Sequence, residues 1–334
     1  MKDEAFTPAG AGHGWEAMTR MARKFQFGIC TDQNMTWEKN VQRWQQFEQM
    51  GIESAWVCDH LVQPSRPGGP YLEAWTLLAG LAARTEKIRI GVLVTSNTFR
   101  YPSVLAKEVV TVDHISNGRL EFGFGAGWYE PEHRMFGLPF PDTKELVQRF
   151  REAVELIDVM LRNDLSSYEG KYYQIEELLN RPGPIQKPRP PFLLGAFGPY
   201  MLKIVAKHAD TWNAFGTPAE MRERNQLLDE YCAEIGRDPE TLDRSLYYWV
   251  PKSDADPWKS KDAFDDVIGQ YMEAGVNQFL FDQPRDDQYD LLEKIASDVL
   301  PKLRQEKPRP TSQGVTVNTS SWHKPEDHLG GPPS

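Results

Sequence analysis

Short apolar runs alternate with amphipathic stretches along most of this chain. The runs are rich in β-branched residues, as in residues 88–94 (IRIGVLV), which is typical of parallel strands buried on both faces. The stretches between them repeat apolar residues every three or four positions, as Val41, Trp44 and Phe47 do, which indicates helices that pack along one side. This pattern predicts strands at residues 25–30, 52–58, 88–94, 120–125, 192–195, 210–215, 245–250 and 278–281.

Each predicted strand is followed by a predicted helix. The helices are expected at residues 37–50, 71–83, 102–117, 142–161, 200–208, 218–235, 264–273 and 289–303. Residues 168–175 (YEGKYYQI) predict a small hairpin or extended insert after the fourth helix. Eight such units favour a closed (β/α)8 TIM barrel, an α/β fold of about 250 residues. A doubly wound open sheet is the alternative, because errors in the strand boundaries could hide the difference.

The two ends of the chain lack this alternation. Residues 1–24 show no clear period and predict an N-terminal extension, which leaves residues 25–304 for the barrel. Residues 305–334 are polar and rich in Pro, Gly and Ser, so they predict a disordered tail.

Composition and charge narrow the possible partners. The chain carries 38 Lys and Arg against 48 Asp and Glu, a net charge of −10, which argues against binding to duplex nucleic acid. No run of about 18 apolar residues predicts a membrane span, and residues 1–18 lack the apolar core of a signal peptide. The three cysteines, Cys30, Cys58 and Cys232, match no metal-binding spacing, so no metal site is predicted. A reduced, cytoplasmic protein with a small-molecule substrate is the simplest interpretation.

Polar and glycine-rich residues follow several of the predicted strands. In a TIM barrel the active site lies at the carboxyl ends of the strands. The second strand is followed by Asp59 and His60, and the third by residues 95–97 (TSN). The ordinary polarity of loops explains any one of these residues as well as a site does. Their coincidence at several strand ends favours a site.

Two glycine-rich stretches are candidates for contact with a cofactor. Residues 123–128 (GFGAGW) look like a dinucleotide fingerprint, but Trp128 stands where the third glycine belongs. The Tyr129-Glu130-Pro131 segment that follows is also a poor helix start, so the stretch is interpreted as the fourth strand and its loop. Residues 195–198 (GAFG) precede a helix and are the stronger phosphate candidate, because backbone N–H groups at a helix N-terminus bind anions. A tight turn is the alternative for both stretches.

Several long motifs follow one another along the chain. They are Asp59-His60, VTSNTFRYPSVLAKE at 94–108, DHISNGRLEFGFGAGW at 113–128, EPEH at 130–133, YEGKYY at 168–173, PIQKPRPPFLLGAFG at 184–198 and AKHADTWN at 206–213. Together they resemble the luciferase-like flavin and deazaflavin oxidoreductases, and the resemblance spans nearly the whole predicted barrel. Members of that family bind FMN or the deazaflavin coenzyme F420 at the barrel mouth. FMN-dependent members commonly carry Glu-His-His after the second strand, so Cys58, Asp59, His60 and Leu61 resemble the F420-dependent branch.

The resemblance implies roles for particular residues. Asp59 and His60 would lie beside the deazaflavin ring, and His60 is the candidate catalytic proton donor or acceptor, because imidazole titrates near neutral pH. A structural histidine paired with Asp59 or a carbonyl is the alternative. The peptide bond Leu93–Val94 would be cis, forming a bulge behind the ring. The expected cofactor-binding residues are Asp59, His60, Leu93, Val94, Thr95, Asn97, Gly125, Ala126, Gly127, Trp128, Gly195, Ala196, Phe197 and Gly198.

The expected function is F420-dependent hydride transfer to or from an unidentified small organic substrate. An FMN-dependent monooxygenase, or a cofactor-free binding protein on the same barrel, is the alternative. The sugar-phosphate dehydrogenase branch carries a carboxylate where Trp128 stands, so sugar-phosphate oxidation by that mechanism is disfavoured. Glu130 or Glu132 could substitute, or be solvated loop carboxylates. Arg100 could pair with the cofactor or form a barrel salt bridge. The resemblance also implies a homodimer.

Overall fold

A closed ring of parallel strands forms the centre of the molecule. The computed structural model describes residues 23–250, 253 and 255–305. Across these residues the strands and the insert hairpin are β1 (Gln26–Cys30), β2 (Ser54–Val57), β3 (Arg89–Val92), β4 (Thr95–Ser96), β5 (Leu120–Gly125), β6 (Leu165–Glu169), β7 (Gln174–Leu179), β8 (Phe192–Gly195), β9 (Thr211–Ala214), β10 (Asp243–Tyr248) and β11 (Gln278–Asp282).

Helices cover the outside of the ring. They are α1 (Trp37–Gln49), α2 (Ala74–Ala82), α3 (Pro102–Ile115), α4 (Glu130–Phe136), α5 (Thr143–Arg162), α6 (Pro199–His208), α7 (Pro218–Glu234), α8 (Lys261–Glu273), α9 (Tyr289–Asp298) and α10 (Leu300–Leu303). Local sequence explains several of their starts. Asp142 caps α5 by accepting a hydrogen bond from the N–H of Glu145, and Thr217 forms a capping box with Glu220 at α7. Within the described residues, no helix has the length and hydropathy required to cross a membrane.

The strand order confirms the predicted TIM barrel. Parallel pairing runs β3–β2–β1–β11–β10–β9–β8–β5, and β3 also pairs with β5 through Ile90 and Leu120, which closes the ring. The open-sheet alternative is therefore wrong, because an open sheet would leave two strands with unpaired edges.

Alternate positions on each strand point into or out of the ring, so the apolar residues separate into two clusters. The large outer cluster packs the strands against the helices, with Phe122, Phe150 and Phe264 fully buried. The small inner cluster contains Cys30, Trp56, Leu93, Leu193 and Leu280. These inner side chains form the floor beneath the mouth of the barrel.

Two predicted elements differ in detail from the structure. The strand predicted at 88–94 is shorter: β3 ends at Val92, before the Leu93–Val94 peptide, which is cis, as the resemblance implied, and β4 follows that peptide. The interpretation of residues 129–131 as a poor helix start is wrong, because α4 begins there. Pro131 lies in the first turn, where a missing N–H breaks no intrahelical bond, and Gly137 ends the helix at φ 69°. The insert is an antiparallel hairpin of β6 and β7, as predicted. It follows α5, which is the helix predicted as the fourth, because α4 adds one helix before it.

The predictions for the chain ends concern residues that lie mostly outside the described part. Residues 1–22 of the expected extension and 306–334 of the expected tail are not described. The domain boundaries at residues 24 and 304 therefore stay predictions.

Candidate active site

The buried carboxylate of Asp59 binds a guanidinium. It accepts hydrogen bonds from Nη1 and Nη2 of Arg100 at 2.7 and 3.1 Å and from the backbone N–H of Ser96 at 2.8 Å. Arg100 also contacts Glu73, and its Nε lies 3.3 Å from Glu108. Burial raises the pKa of Asp59, and the Arg100 charge opposes that rise. The pair joins the loops after β2 and β4, so Arg100 forms the barrel salt bridge that the sequence left open.

The imidazole of His60 is held from one side. Its Nδ1 lies 2.8 Å from Oε1 of Glu132, whose Oε2 accepts the backbone N–H of Leu61 at 2.9 Å. Among the described residues, Nε2 of His60 has no hydrogen-bond partner. The edge of the imidazole packs against the rings of Trp128 and Tyr129, at centroid distances of 5.7 and 6.2 Å. His60 therefore pairs with Glu132 rather than with the adjacent Asp59.

A second histidine on α4 connects this helix to the loop after β4. Nδ1 of His133 donates to the carbonyl of Tyr129 at 2.8 Å, because a carbonyl can only accept. In the neutral imidazole, Nε2 then accepts from the hydroxyl of Thr98 at 2.6 Å, and Thr98 lies 2.7 Å from the Ser96 hydroxyl. The buried side chains of Glu132 and His133 thus bind α4 to two different loops of the barrel mouth.

Three of the predicted glycines make room for protein side chains. A Cβ on Gly125 would lie 2.7 Å from Cγ2 of Val94, and one on Gly195 would lie 3.0 Å from the same atom. Gly127 has φ +91°, and a Cβ there would lie 2.8 Å from the Ser96 hydroxyl oxygen. These glycines accommodate the Val94 side chain and the loop after β4. Direct contact with a cofactor stays a prediction for all three.

Among the described residues, no side chain caps the start of α6. Gly198 is the N-cap and supplies no side-chain hydrogen bond, and a Cβ on it would meet no atom within 4 Å. Upstream, the N–H of the buried Ala196 donates to the carbonyl of Asn213 at 3.1 Å, so this N–H is already bonded. The ring of Phe197 packs on Phe215 at 4.6 Å. Open space before uncapped N–H groups suits an anionic group such as a phosphate.

The structure does not bring every predicted residue to the mouth. The Thr95 hydroxyl accepts from the indole N–H of Trp75 on α2 at 3.2 Å, on the outer side of the ring. Asn97 is buried, and its side-chain N–H donates to the hydroxyl of Tyr173 in the insert hairpin at 3.4 Å. Leu93 belongs to the inner cluster, while Ala126 and Trp128 are half-buried on the loop after β5.

A half-buried carboxylate at the end of β11, two strands from β2 in the ring, was absent from the expected site residues. Asp282 ends β11, and its Oδ1 accepts from the Tyr247 hydroxyl at 2.7 Å. Its Oδ2 accepts the backbone N–H of Val250 at 3.1 Å. Burial raises the pKa of Asp282 to about 6. Cys30 is the register partner of Asp282 on β1, and its Sγ lies 3.4 Å from the Sγ of Cys58.

Comparison with known proteins agrees with the barrel fold. The sequence profile of the family described as luciferase-like monooxygenase matches residues 18–315. The F420-dependent glucose-6-phosphate dehydrogenase of Amycolatopsis mediterranei is 28% identical over 311 residues, covering 77% of this chain and 92% of that protein. The 5,10-methylenetetrahydromethanopterin reductase of Methanopyrus kandleri is 32% identical over 213 residues, covering 60% and 58%. A solved F420-dependent secondary alcohol dehydrogenase, in complex with an F420-acetone adduct, shares the fold, with a TM-score of 0.74, 19% identity and coverage of 84% and 99%.

Proposed function

The chain belongs to the luciferase-like monooxygenase family, and we propose that it is an F420-dependent oxidoreductase acting on a small organic substrate. The observation that carries this proposal is the His60 imidazole, which Glu132 anchors through Nδ1 and whose Nε2 has no hydrogen-bond partner in the part of the chain that the structure describes. The F420 dependence of the relatives named above supports the choice of cofactor. When bound, the deazaflavin supplies the carbon that accepts or donates a hydride.

The residues at the start of α6 fit the anionic part of such a cofactor. The overall charge of −10 repels anions, so an anionic cofactor requires a local group of donors. The uncapped first turn after Gly198 provides N–H groups and the positive end of the helix dipole without a cationic side chain. We propose that residues 195–198 and the first turn of α6 hold the phosphate of F420.

In this proposal His60 moves the proton that accompanies hydride transfer. Its Nε2 takes a proton from a substrate hydroxyl during oxidation, or returns one during reduction. Imidazole suits both directions because it exchanges protons near neutral pH. The rings of Trp128 and Tyr129 pack beside it and limit the access of water.

Cofactor titration of the purified full-length protein tests the proposal. F420 should bind saturably and raise the melting temperature, because a ligand bound to the native state stabilises it. Saturable binding of FMN without binding of F420 would favour the monooxygenase alternative. A melting temperature that neither cofactor shifts would favour the cofactor-free binding protein.

A substitution then tests the role of His60. His60→Ala should lower the rate of F420 oxidation or reduction, measured by absorbance across a panel of alcohols and carbonyls, by about 10²- to 10⁴-fold. Affinity for F420 should change little. His114→Ala is the matched control, because His114 is exposed on α3 and its side chain hydrogen-bonds only to the carbonyl of Gly183 among the described residues. Unchanged turnover in His60→Ala would refute the catalytic role.

We also propose that residues 25–304 form the catalytic barrel and that the protein acts in the cytoplasm as a homodimer. Light scattering of the purified chain tests the oligomeric state. A monomeric mass at micromolar concentration would exclude the dimer.

A further inference from the structure

We infer that Glu132 is a positioning residue, which orients His60 and keeps Nε2 free to accept a proton. The inference rests on the proposed function for one premise, that Nε2 of His60 exchanges the proton with the substrate. Its other premises are the contacts between α4 and the loop after β2. Glu132 lies on α4, and the two residues are 72 positions apart in the chain. From the sequence alone, Glu132 is expected to be a replacement acid or a solvated loop carboxylate.

Both carboxylate oxygens of Glu132 are bonded within the protein. Oε1 lies 2.8 Å from Nδ1 of His60, and Oε2 accepts the N–H of Leu61 at 2.9 Å. The side chain of Glu132 is 1% exposed, so solvent provides no other partner for its charge. This carboxylate therefore cannot act as the acid that sugar-phosphate oxidation would need.

The same contacts select one tautomer of His60. An ionised carboxylate only accepts hydrogen bonds, so Nδ1 of the neutral imidazole carries the hydrogen and donates it to Oε1. The lone pair of the ring then lies on Nε2. If His60 gains a proton at Nε2, the negative charge of Glu132 stabilises the resulting cation.

The position of Glu132 is fixed by the helix that bears it. The next residue, His133, binds the carbonyl of Tyr129 and the hydroxyl of Thr98, so α4 is held at the loop after β4. The side chain of Glu132 reaches in the other direction, to the loop after β2. Rotation of the His60 ring would break the bond to Oε1 and leave a buried charge with one partner fewer.

The test compares Glu132→Gln with Glu130→Gln in the full-length protein. His60 Nδ1 and the Leu61 N–H bond to different oxygens of Glu132, and a glutamine places a donating NH2 group where one of those oxygens was, so it cannot accept at both positions. Glu130 is an exposed carboxylate two residues away on the same helix, so its variant controls for the lost charge. Nitrogen-15 NMR of histidine-labelled protein, with His60→Gln to assign the signal, reports which ring nitrogen carries the hydrogen.

With spectra recorded at a pH high enough for the imidazole to be neutral, the wild-type protein and Glu130→Gln should show the hydrogen of His60 on Nδ1. Glu132→Gln should shift the hydrogen wholly or partly to Nε2, and should lower turnover with F420 by about 10- to 100-fold at unchanged F420 affinity. An unchanged tautomer in Glu132→Gln would overturn the inference, as would equal losses of turnover in both variants. The NMR signal needs no cofactor, so a changed tautomer would stand even if F420 did not bind.

Discussion

The half-buried carboxylate of Asp282 should make the folded protein less stable as the pH rises from about 4 to about 6. Burial raises the pKa of Asp282 from 3.8 to about 6, even though the Tyr247 hydroxyl and the Val250 N–H both stabilise the anion. The folded protein therefore keeps this proton over a pH range in which the unfolded chain has released it. Protonation then favours the folded state, and the free energy of unfolding falls with rising pH across the range. A pKa difference of this size corresponds to about 3 kcal/mol.

Urea unfolding of the wild type and of Asp282→Asn between pH 4 and pH 7.5 measures this contribution. The variant carries no ionisable group at residue 282, and a difference between two proteins cancels the titration of the remaining groups. The wild-type free energy of unfolding minus that of the variant should fall by about 2 kcal/mol from the lowest to the highest pH, because the unfolded carboxyl is already partly ionised at pH 4. Asp290→Asn, at an exposed position on α9, controls for the loss of one negative charge. A difference that is constant or rises with pH would refute the reasoning, because the folded protein would then hold the carboxylate ionised without cost.

Three further substitutions test the packing and charges described above. Burial lowers the pKa of His208 to about 4, so the unfolded chain binds more protons than the folded protein between pH 6.5 and 4. The free energy of unfolding therefore falls as the pH falls through this range. His208→Gln should remove about 3 kcal/mol of that fall, measured by urea unfolding. Gly125→Ala should destabilise the protein by about 1–3 kcal/mol in thermal or urea unfolding, because its Cβ would overlap Val94. Arg100→Met should cost about 3–5 kcal/mol, because it leaves the buried Asp59 carboxylate without its cation.

Each of these substitutions has a matched comparison. His114→Gln replaces an exposed histidine, and a pH dependence equal to that of His208→Gln would contradict the buried origin of the effect. Gly198→Ala adds a Cβ where no atom lies within 4 Å, so a loss of stability as large as that of Gly125→Ala would argue against overpacking. Adding Asp59→Asn to Arg100→Met removes the unpaired charge. A double variant no more stable than the single one would show that the ion pair is not the source of the loss.

The amino-acid sequence determined the elements and the closed ring. Strands buried on both faces are continuous apolar runs, so these runs alone locate β1, β5 and β8 in the sequence. Short elements are harder to locate. The seven-residue helix α4 contains a proline and has too few turns for a clear period, so it was missed, and Glu132 was left in a supposed loop.

The family resemblance pointed to His60 and to the cis peptide before Val94, but the tertiary structure alone decided what each polar group contacts. Asp59 and Arg100 are 41 residues apart, and His60 and Glu132 are 72 apart. Local periodicity carries no information about such pairs, because the closure of the ring and the course of the loops bring them together. Burial in the tertiary structure also decides the pKa of Asp282. A carboxylate in water has its ordinary pKa, and the packing around the end of β11 raises it.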